Sequence, residues 1–459
     1  MLCHSPFALE VPHDERARLA TGWLALGLGA LMGAGLFAVL LVAARAPFLK
    51  DLVPAGDFFR VALVVHVDLS VLVWFAALAG MLWSLNSRPR ALGAGWLALW
   101  GAAAGAAAMV AAPFVEGGVA VMANYVPVIE SRWFMTGLVL FASSWALMVL
   151  RSMSVVPPVG TQLDGAGALR FGLNASLVAA AVALGAFVWS WAALPTTLDA
   201  RAYYEVLFWG GGHVLQFVWT LLMLVAWLSL AEAGGAPLPL TPRIATLFFG
   251  VALASVFATP VIYLAWDVVS PEHYRYHTAL MRYGGGLAIL PFVLALGIAL
   301  LRSRPRAADA RPLRAALAWS MVLFCAGGAI GFTISGSNVR IPAHYHGSIV
   351  GVTLALMGLV YHLLPRLGFA SPAPRAAIVQ VWLYGAGQLA HVAGLAWSGG
   401  YGVPRKAAGA EQALRTLPEI LSMGLMGIGG LVAIAGGVAF VIIVLRAMVP
   451  AWNWSLSRS

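Results

Sequence analysis

Charge is scarce in this chain: only 10% of its 459 residues are Asp, Glu, Lys or Arg. That excludes a soluble globular domain, in which about a quarter of the residues are charged. Cysteine is nearly absent, with only Cys3 and Cys325, far apart in the chain. Two such residues exclude a disulfide framework and a thiolate-held metal. Acidic residues are the rarer sign, 17 against 27 basic, for a net charge of +10. A basic balance can mean nucleic acid or an anionic surface, but here the basic residues sit at the ends of apolar runs and form no stripe. Nucleic-acid binding is therefore not expected. Long polar connectors are missing too, so a single integral-membrane domain over 1–459 is expected. The first seventeen residues carry Glu10, Asp14, Glu15 and Arg16, a polarity that does not suit a cleavable signal peptide.

What the chain has is apolar length. Apolar residues make up 61% and the mean hydropathy is +0.89, which marks an all-α polytopic membrane protein. Twelve runs are long enough to span a bilayer: 18–45, 58–85, 92–115, 132–152, 168–193, 203–231, 243–267, 273–301, 312–334, 343–367, 374–397 and 417–447. Arg302, Arg304, Arg306, Arg311 and Arg314 crowd one loop, and Arg88, Arg90, Arg151, Arg366 and Arg375 mark others. All of these loops follow even-numbered spans. The positive-inside rule makes that side cytoplasmic, with both termini, and the setting a bacterial inner membrane in contact with lipid. The opposite loops hold most of the acids, Asp51, Glu116, Glu205, Asp267, Glu272 and Glu411 among them, but also Arg340, Arg405 and Lys406. Those outer cations call for an anionic partner.

The ten histidines are the most informative residues. His344 and His346 open the tenth span in the run Ile341-Pro342-Ala343-His344-Tyr345-His346-Gly347. Two positions along an α-helix turn the side chain through about 200°, so one helix can hold a metal centre on each side. His66 lies early in the second span and His213 early in the sixth. Even-numbered spans enter from the outer face, so these four imidazoles share one depth. Neutral imidazole on a rigid helix is the usual axial ligand of haem iron, and ionisable groups within a membrane are costly and usually functional. His4, His13, His362 and His391 read as ordinary structural histidines. His362 lies about 24 Å down the helix from His346.

The pattern resembles the large subunit of the haem–copper oxidase superfamily, which includes oxygen reductases and nitric oxide reductases. Arg60–His66 looks like its second-helix motif, Trp209-Gly210-Gly211-Gly212-His213 its sixth-helix motif, and Ala343–Gly347 its tenth-helix signature. The resemblance implies two haems, a low-spin one held by His66 and His346 and a high-spin one on His344. It implies His213 as a ligand of a second metal, copper or non-haem iron, so that His344 and His213 are the candidate catalytic residues. Val403-Pro404-Arg405-Lys406 is similar to the family's propionate-binding pair, with Arg340 and Arg60 as further candidates. A small electron-donating subunit of copper or cytochrome type is the implied partner.

Two departures bear on the chemistry. The adjacent histidines that end the family's seventh helix are absent from Thr259–Asp267; His273 and His277, spaced i, i+4, share a helix face and offer a replacement, with Asp267 or Glu272. The family's sixth-helix tyrosine is Phe217 here, next to Gln216. Reduction of nitric oxide to nitrous oxide needs no tyrosyl radical, so the nitric-oxide-reductase-like branch is preferred over a cytochrome c oxidase-type reduction of dioxygen to water. A haem-only electron relay or gas sensor is the reading of another class, and a transporter leaves the His-X-His unexplained. Asp68 is expected as a hydrogen-bonded neighbour of His66, and Glu419 as a cap or haem contact. No chain of carboxylates for proton pumping is visible.

Overall fold

The computed structural model describes residues 7–49, 57–160, 163–305, 307–408 and 411–456. Cys3, His4, Asp51 and Arg306 lie outside those residues. Twelve long helices follow one another: α1 (Glu15–Ala43), α2 (Phe58–Leu85), α3 (Leu92–Val115), α4 (Arg132–Ser154), α5 (Gly165–Ala193), α6 (Ala200–Ala233), α7 (Pro242–Ala265), α8 (Pro271–Arg302), α9 (Ala310–Gly331), α10 (Arg340–Leu363), α11 (Pro374–Gly400) and α12 (Leu417–Leu456). Their order and bounds follow the apolar runs. Among the described residues eleven are long and apolar enough to cross a membrane, and α11 is not one of those. Arg375, Gln380, Gln388 and His391 dilute its apolar character.

The helix starts are chemically marked. Ser131, Asp164, Thr241 and Ser270 accept from the backbone N–H of Phe134, Gly167, Ile244 and His273, satisfying donors that a first helical turn leaves open. Pro242 and Pro271 occupy first-turn positions, where the missing N–H costs nothing. Pro260 has the opposite effect inside α7. Its ring conflicts with the carbonyl four residues back, and the helix breaks at Phe257. Helix α2 widens to a π-helical turn over Asp68–Val73, just after His66, and α8 does so over Leu280–Gly285.

The connector between α3 and α4 forms a two-stranded antiparallel ribbon. Strands β1 (Val119–Val121) and β2 (Val128–Glu130) pair with Ala120 opposite Ile129. Tyr125 sits in the turn between them.

The chain divides into two compact units. The first holds the start of α1 and Val67–Glu232 with Ala236–Ser303. Within it, Ala186, Val206, Tyr263 and Val268 form a core cluster with Leu194, Leu198 and Tyr274 against it. The second unit holds Leu31–His66 and Arg304–Ser459. Its core joins Val339 and Ala343 of the α10 entry to Val392 and Leu395 of α11 and to Met423 and Met426 of α12.

Candidate functional site

In the second unit the histidines of the His-X-His are set by what lies on either side of α10. The segment before the helix runs beside the one before α12: Val339 N–H donates to Val403 O at 3.0 Å, and Arg405 Nε donates to Ser337 Oγ at 3.2 Å. That pairing gathers Arg340, Arg405 and Lys406, the outer cations singled out in the sequence. Lys406 has φ 63°, a left-handed backbone that non-glycine residues rarely take. Arg60 is committed elsewhere, to Glu411 at 3.2 Å in an exposed pair.

The imidazoles share one protonation pattern. His66 Nδ1 lies 2.9 Å from Ala34 O, His344 Nδ1 2.7 Å from Gly327 O, and His346 Nδ1 2.8 Å from Pro342 O. A carbonyl only accepts, so each Nδ1 must carry the proton and each Nε2 the lone pair. A metal-bound imidazole has this arrangement, its other N–H held by a carbonyl that fixes the ring. The three histidines therefore fit haem iron.

Small residues make room for the pattern. A Cβ at Gly327 would stand 2.7 Å from the Gly347 carbonyl carbon, and one at Gly331 2.8 Å from His344 Nδ1. Only glycine lets α9 approach α10 this closely, and the approach brings the Gly327 carbonyl to His344.

Three side chains depart from expectation here. His391, read as structural, has its ring centroid 4.8 Å from that of His346. Arg45, which the sequence did not single out, has Nε and Nη2 buried with no hydrogen-bond partner among the described residues. Asp68 was expected to be hydrogen-bonded; it is buried at the start of the π-helical turn, and neither carboxylate oxygen has a partner among the described residues. Glu419 accepts from the N–H groups of Arg415 and Thr416 and so caps α12.

In the first unit His213, His273 and His277 come together. All three are buried, at 3%, 0% and 0% exposure. Ring centroids are 4.4 Å apart for His273 and His277 and 5.9 Å for His213 and His277. His273 and His277 are thus helix residues turned inward on α8, and the i, i+4 spacing aligns them as the sequence implied. Asp267 and Glu272, suggested as accompanying ligands, are exposed and outside this buried cluster.

The three glycines before His213 each face an aromatic ring. A Cβ at Gly210 would strike Tyr263, one at Gly211 Phe187, and one at Gly212 Tyr125. Each glycine costs about 1 kcal/mol of helix propensity relative to alanine, and close ring packing beside the histidine is what it permits. Tyr125 O–H donates to His213 Nε2 at 2.9 Å, while His213 Nδ1–H donates to Trp209 O at 2.7 Å. Glu205 holds the ribbon turn by accepting from the N–H and the side-chain amide of Asn124. Tyr263 lies edge-on to His273 at 4.7 Å, its hydroxyl 2.7 Å from Ser190 Oγ. Neither tyrosine was legible as a site residue, since Tyr125 is 88 residues from His213 and Tyr263 is on another helix.

His273 Nδ1, His273 Nε2 and His277 Nε2 are buried without a hydrogen-bond partner among the described residues. Such orphaned nitrogens are costly and suit a metal. No group of three or more His, Cys, Asp or Glu among the described residues has its ligating atoms already gathered for an ion. Imidazoles sharing one ion at about 2.0–2.1 Å place their ring centroids about 4.5–5.5 Å apart, and the separations here straddle that range. The donor chemistry suits a second metal, but both separations fall outside that range, so His213 must release Tyr125 and the rings must shift before they share one ion.

The chain matches the family model "Cytochrome C and Quinol oxidase polypeptide I" over residues 18–439. It belongs to that family. Haem–copper oxidase subunits of this kind are membrane proteins of oxidoreductase chemistry that generally bind haem and work with other oxidase subunits. An uncharacterized protein of Rickettsia prowazekii is 26% identical over 94% of this chain and 96% of that relative. An uncharacterized protein of Aquifex aeolicus is 28% identical over 76% of this chain and 85% of its own length. The cytochrome c oxidase subunit 1 of Thermus thermophilus is 27% identical over 85% and 76%. The fold is also that of a heme-copper terminal oxidase solved as a dimer, with a TM-score of 0.70 over 95% of this chain and 84% of that one, at 16% identity.

Proposed function

We propose that this chain is the haem-bearing catalytic subunit of a respiratory terminal reductase, an integral-membrane domain over 1–459 with both termini cytoplasmic. The observation that carries the proposal is the buried trio His213, His273 and His277 with its unpartnered nitrogens. A haem-only relay or gas sensor has no use for three imidazoles gathered in a dry place, where unsatisfied polar groups are expensive.

In this reading His66 and His346 hold a low-spin haem and His344 a high-spin one. His213, His273 and His277 hold copper or non-haem iron. When bound, these groups supply one-electron transfer and an open position for a diatomic gas. The chain's own residues prepare them. The carbonyls of Ala34, Gly327 and Pro342 keep the proton on Nδ1 of each haem-binding histidine, so Nε2 is always ready. Arg340, Arg405 and Lys406 give cations for propionate carboxylates, with Arg able to bind them in a bidentate manner. A small copper- or cytochrome-type subunit delivers electrons.

The preferred substrate is nitric oxide, reduced to nitrous oxide, because Phe217 offers no redox-capable hydroxyl on α6. Dioxygen is the second reading, and a specific observation favours it: Tyr125 and Tyr263 both touch the histidine trio. Turnover of the purified complex with each gas in turn decides. Nitrous oxide formation with slow oxygen use supports the first, and rapid oxygen use with no nitrous oxide overturns it. Metal analysis giving two haems and no further metal overturns the enzyme reading altogether.

A further inference from the structure

His391 stands in the wrong place for a merely structural histidine. It lies on α11, 8% exposed, with its ring centroid 4.8 Å from that of His346 and the planes at 49°. Its Nδ1 donates at 2.9 Å to the Met426 carbonyl, 35 residues along on α12. The proton is therefore on Nδ1 and the lone pair on Nε2, the same preparation found at His66, His344 and His346. His362 is the contrast within α10: its Nε2 faces Arg366 Nη1 at 3.5 Å.

The niche around His391 is built by glycine. A Cβ at Gly430 would stand 3.0 Å from His391 Nδ1, and one at Gly429 would strike the His391 backbone nitrogen. Two consecutive glycines on α12 thus bring the helices close enough for the Met426 carbonyl to reach across.

Distance separates two roles. Imidazoles on opposite faces of one haem iron have centroids about 6 Å apart, from metal–nitrogen bonds near 2.0–2.1 Å. At 4.8 Å, His346 and His391 are too close to be opposite ligands of one iron. That separation would suit two neighbouring positions on a bare ion. A haem's own four nitrogens, however, fill every position except the two axial ones, so on one face of a haem the two histidines can only be alternatives.

We propose that His391 is an alternative axial ligand of the low-spin haem iron, able to replace His346 opposite His66. The inference rests on the reading of His66 and His346 as the low-spin pair. The exchange is balanced: one iron–Nε2 bond breaks as another forms, both Nδ1 protons stay on their carbonyls, and no electron moves.

The test uses the purified, haem-loaded protein, read by the low-spin ferric EPR signal and the optical spectrum. His346→Ala is expected to keep a bis-imidazole low-spin haem with shifted g values, and His346→Ala combined with His391→Ala to lose it. A five-coordinate haem in His346→Ala alone overturns the proposal. If that variant does not assemble, His346→Met preserves side-chain volume. Retained bis-imidazole g values there support the exchange, while a His–Met haem with a raised potential overturns it. His66→Ala tells the two levels apart. An unchanged low-spin signal in that variant sinks the assignment of the pair itself, whereas its loss leaves the pair standing and the proposal to be judged on the His346 variants.

Discussion

The phenolic oxygen of Tyr125 lies 2.9 Å from Nε2 of His213, across 88 residues of sequence. The hydroxyl occupies the lone pair that a second metal needs, so phenol and metal compete for one nitrogen. Tyr125→Phe should leave that buried nitrogen unsatisfied and destabilise the metal-free protein by about 1–3 kcal/mol. The metal-loaded protein should be indifferent to the change. Thermal unfolding of both forms checks this, and an equal loss in the two would mean the hydroxyl acts elsewhere.

Removing one imidazole of the trio should release the second metal and spare the haems. His277→Ala is expected to keep two haems per chain while the copper or non-haem iron content falls well below one per chain, because a ligand of the ion is gone. Elemental analysis beside a haem assay reads both. Full second-metal occupancy would remove His277 from the ligand set.

His344→Ala should abolish the high-spin haem spectrum and leave the low-spin one. Loss of the low-spin signal alone would mean that the two histidines of the His-X-His have exchanged roles.

Neighbouring glycines on α9 should respond in opposite directions. Gly327→Ala puts a methyl group 2.7 Å from the Gly347 carbonyl carbon, backbone that cannot swing away. A cost of about 1–3 kcal/mol follows from overpacking, with high-spin haem content reduced because the Gly327 carbonyl no longer meets His344. A Cβ at Gly328 has nothing within 4 Å, and Gly328→Ala should stabilise by roughly 1 kcal/mol through helix propensity. Melting curves and haem content of the two variants provide the comparison.

Glu116, at the end of α3, accepts from Ser131 Oγ and Trp133 N–H, each at 3.0 Å. These bonds hold its carboxyl below the usual range, the Trp133 N–H contributing most. A depressed folded-state pKa contributes stability above the unfolded value, and that contribution is lost as pH falls through the folded one. The wild type should therefore lose a small increment of stability on acidification that Glu116→Gln lacks. Parallel unfolding curves of the two proteins between pH 6 and pH 3 would refute this.

The membrane plan was legible because hydropathy is a local property: apolar runs longer than a bilayer's thickness appear as helices with nearly the expected bounds. The grouping of His66, His344 and His346 was legible for a related reason, since each lies early in an even-numbered apolar run. His391 lies some two-thirds along an odd-numbered helix, the matching end if alternate helices run in opposite directions. A lone histidine on a weakly apolar helix has no neighbouring motif to set it apart from a structural one. Tyr125 had no such signal, because only the β-ribbon and the glycine at 212 bring it to His213. The buried carboxyl of Asp68 was misjudged for the opposite reason: proximity in sequence to His66 says nothing about hydrogen bonding once the helix widens into a π-turn.

Helix α6 runs for 34 residues, about 51 Å at 1.5 Å per residue, against a hydrocarbon layer of about 30 Å. A lone span so long would tilt or deform the bilayer to relieve the mismatch. Yet 89% of its most apolar window is buried in protein, against 31% for α8. The lipid has almost no purchase on α6, so the depth of His213 is fixed by neighbouring side chains. A host with thicker or thinner membranes would reshape the lipid-facing helices first and leave the height of that imidazole unchanged.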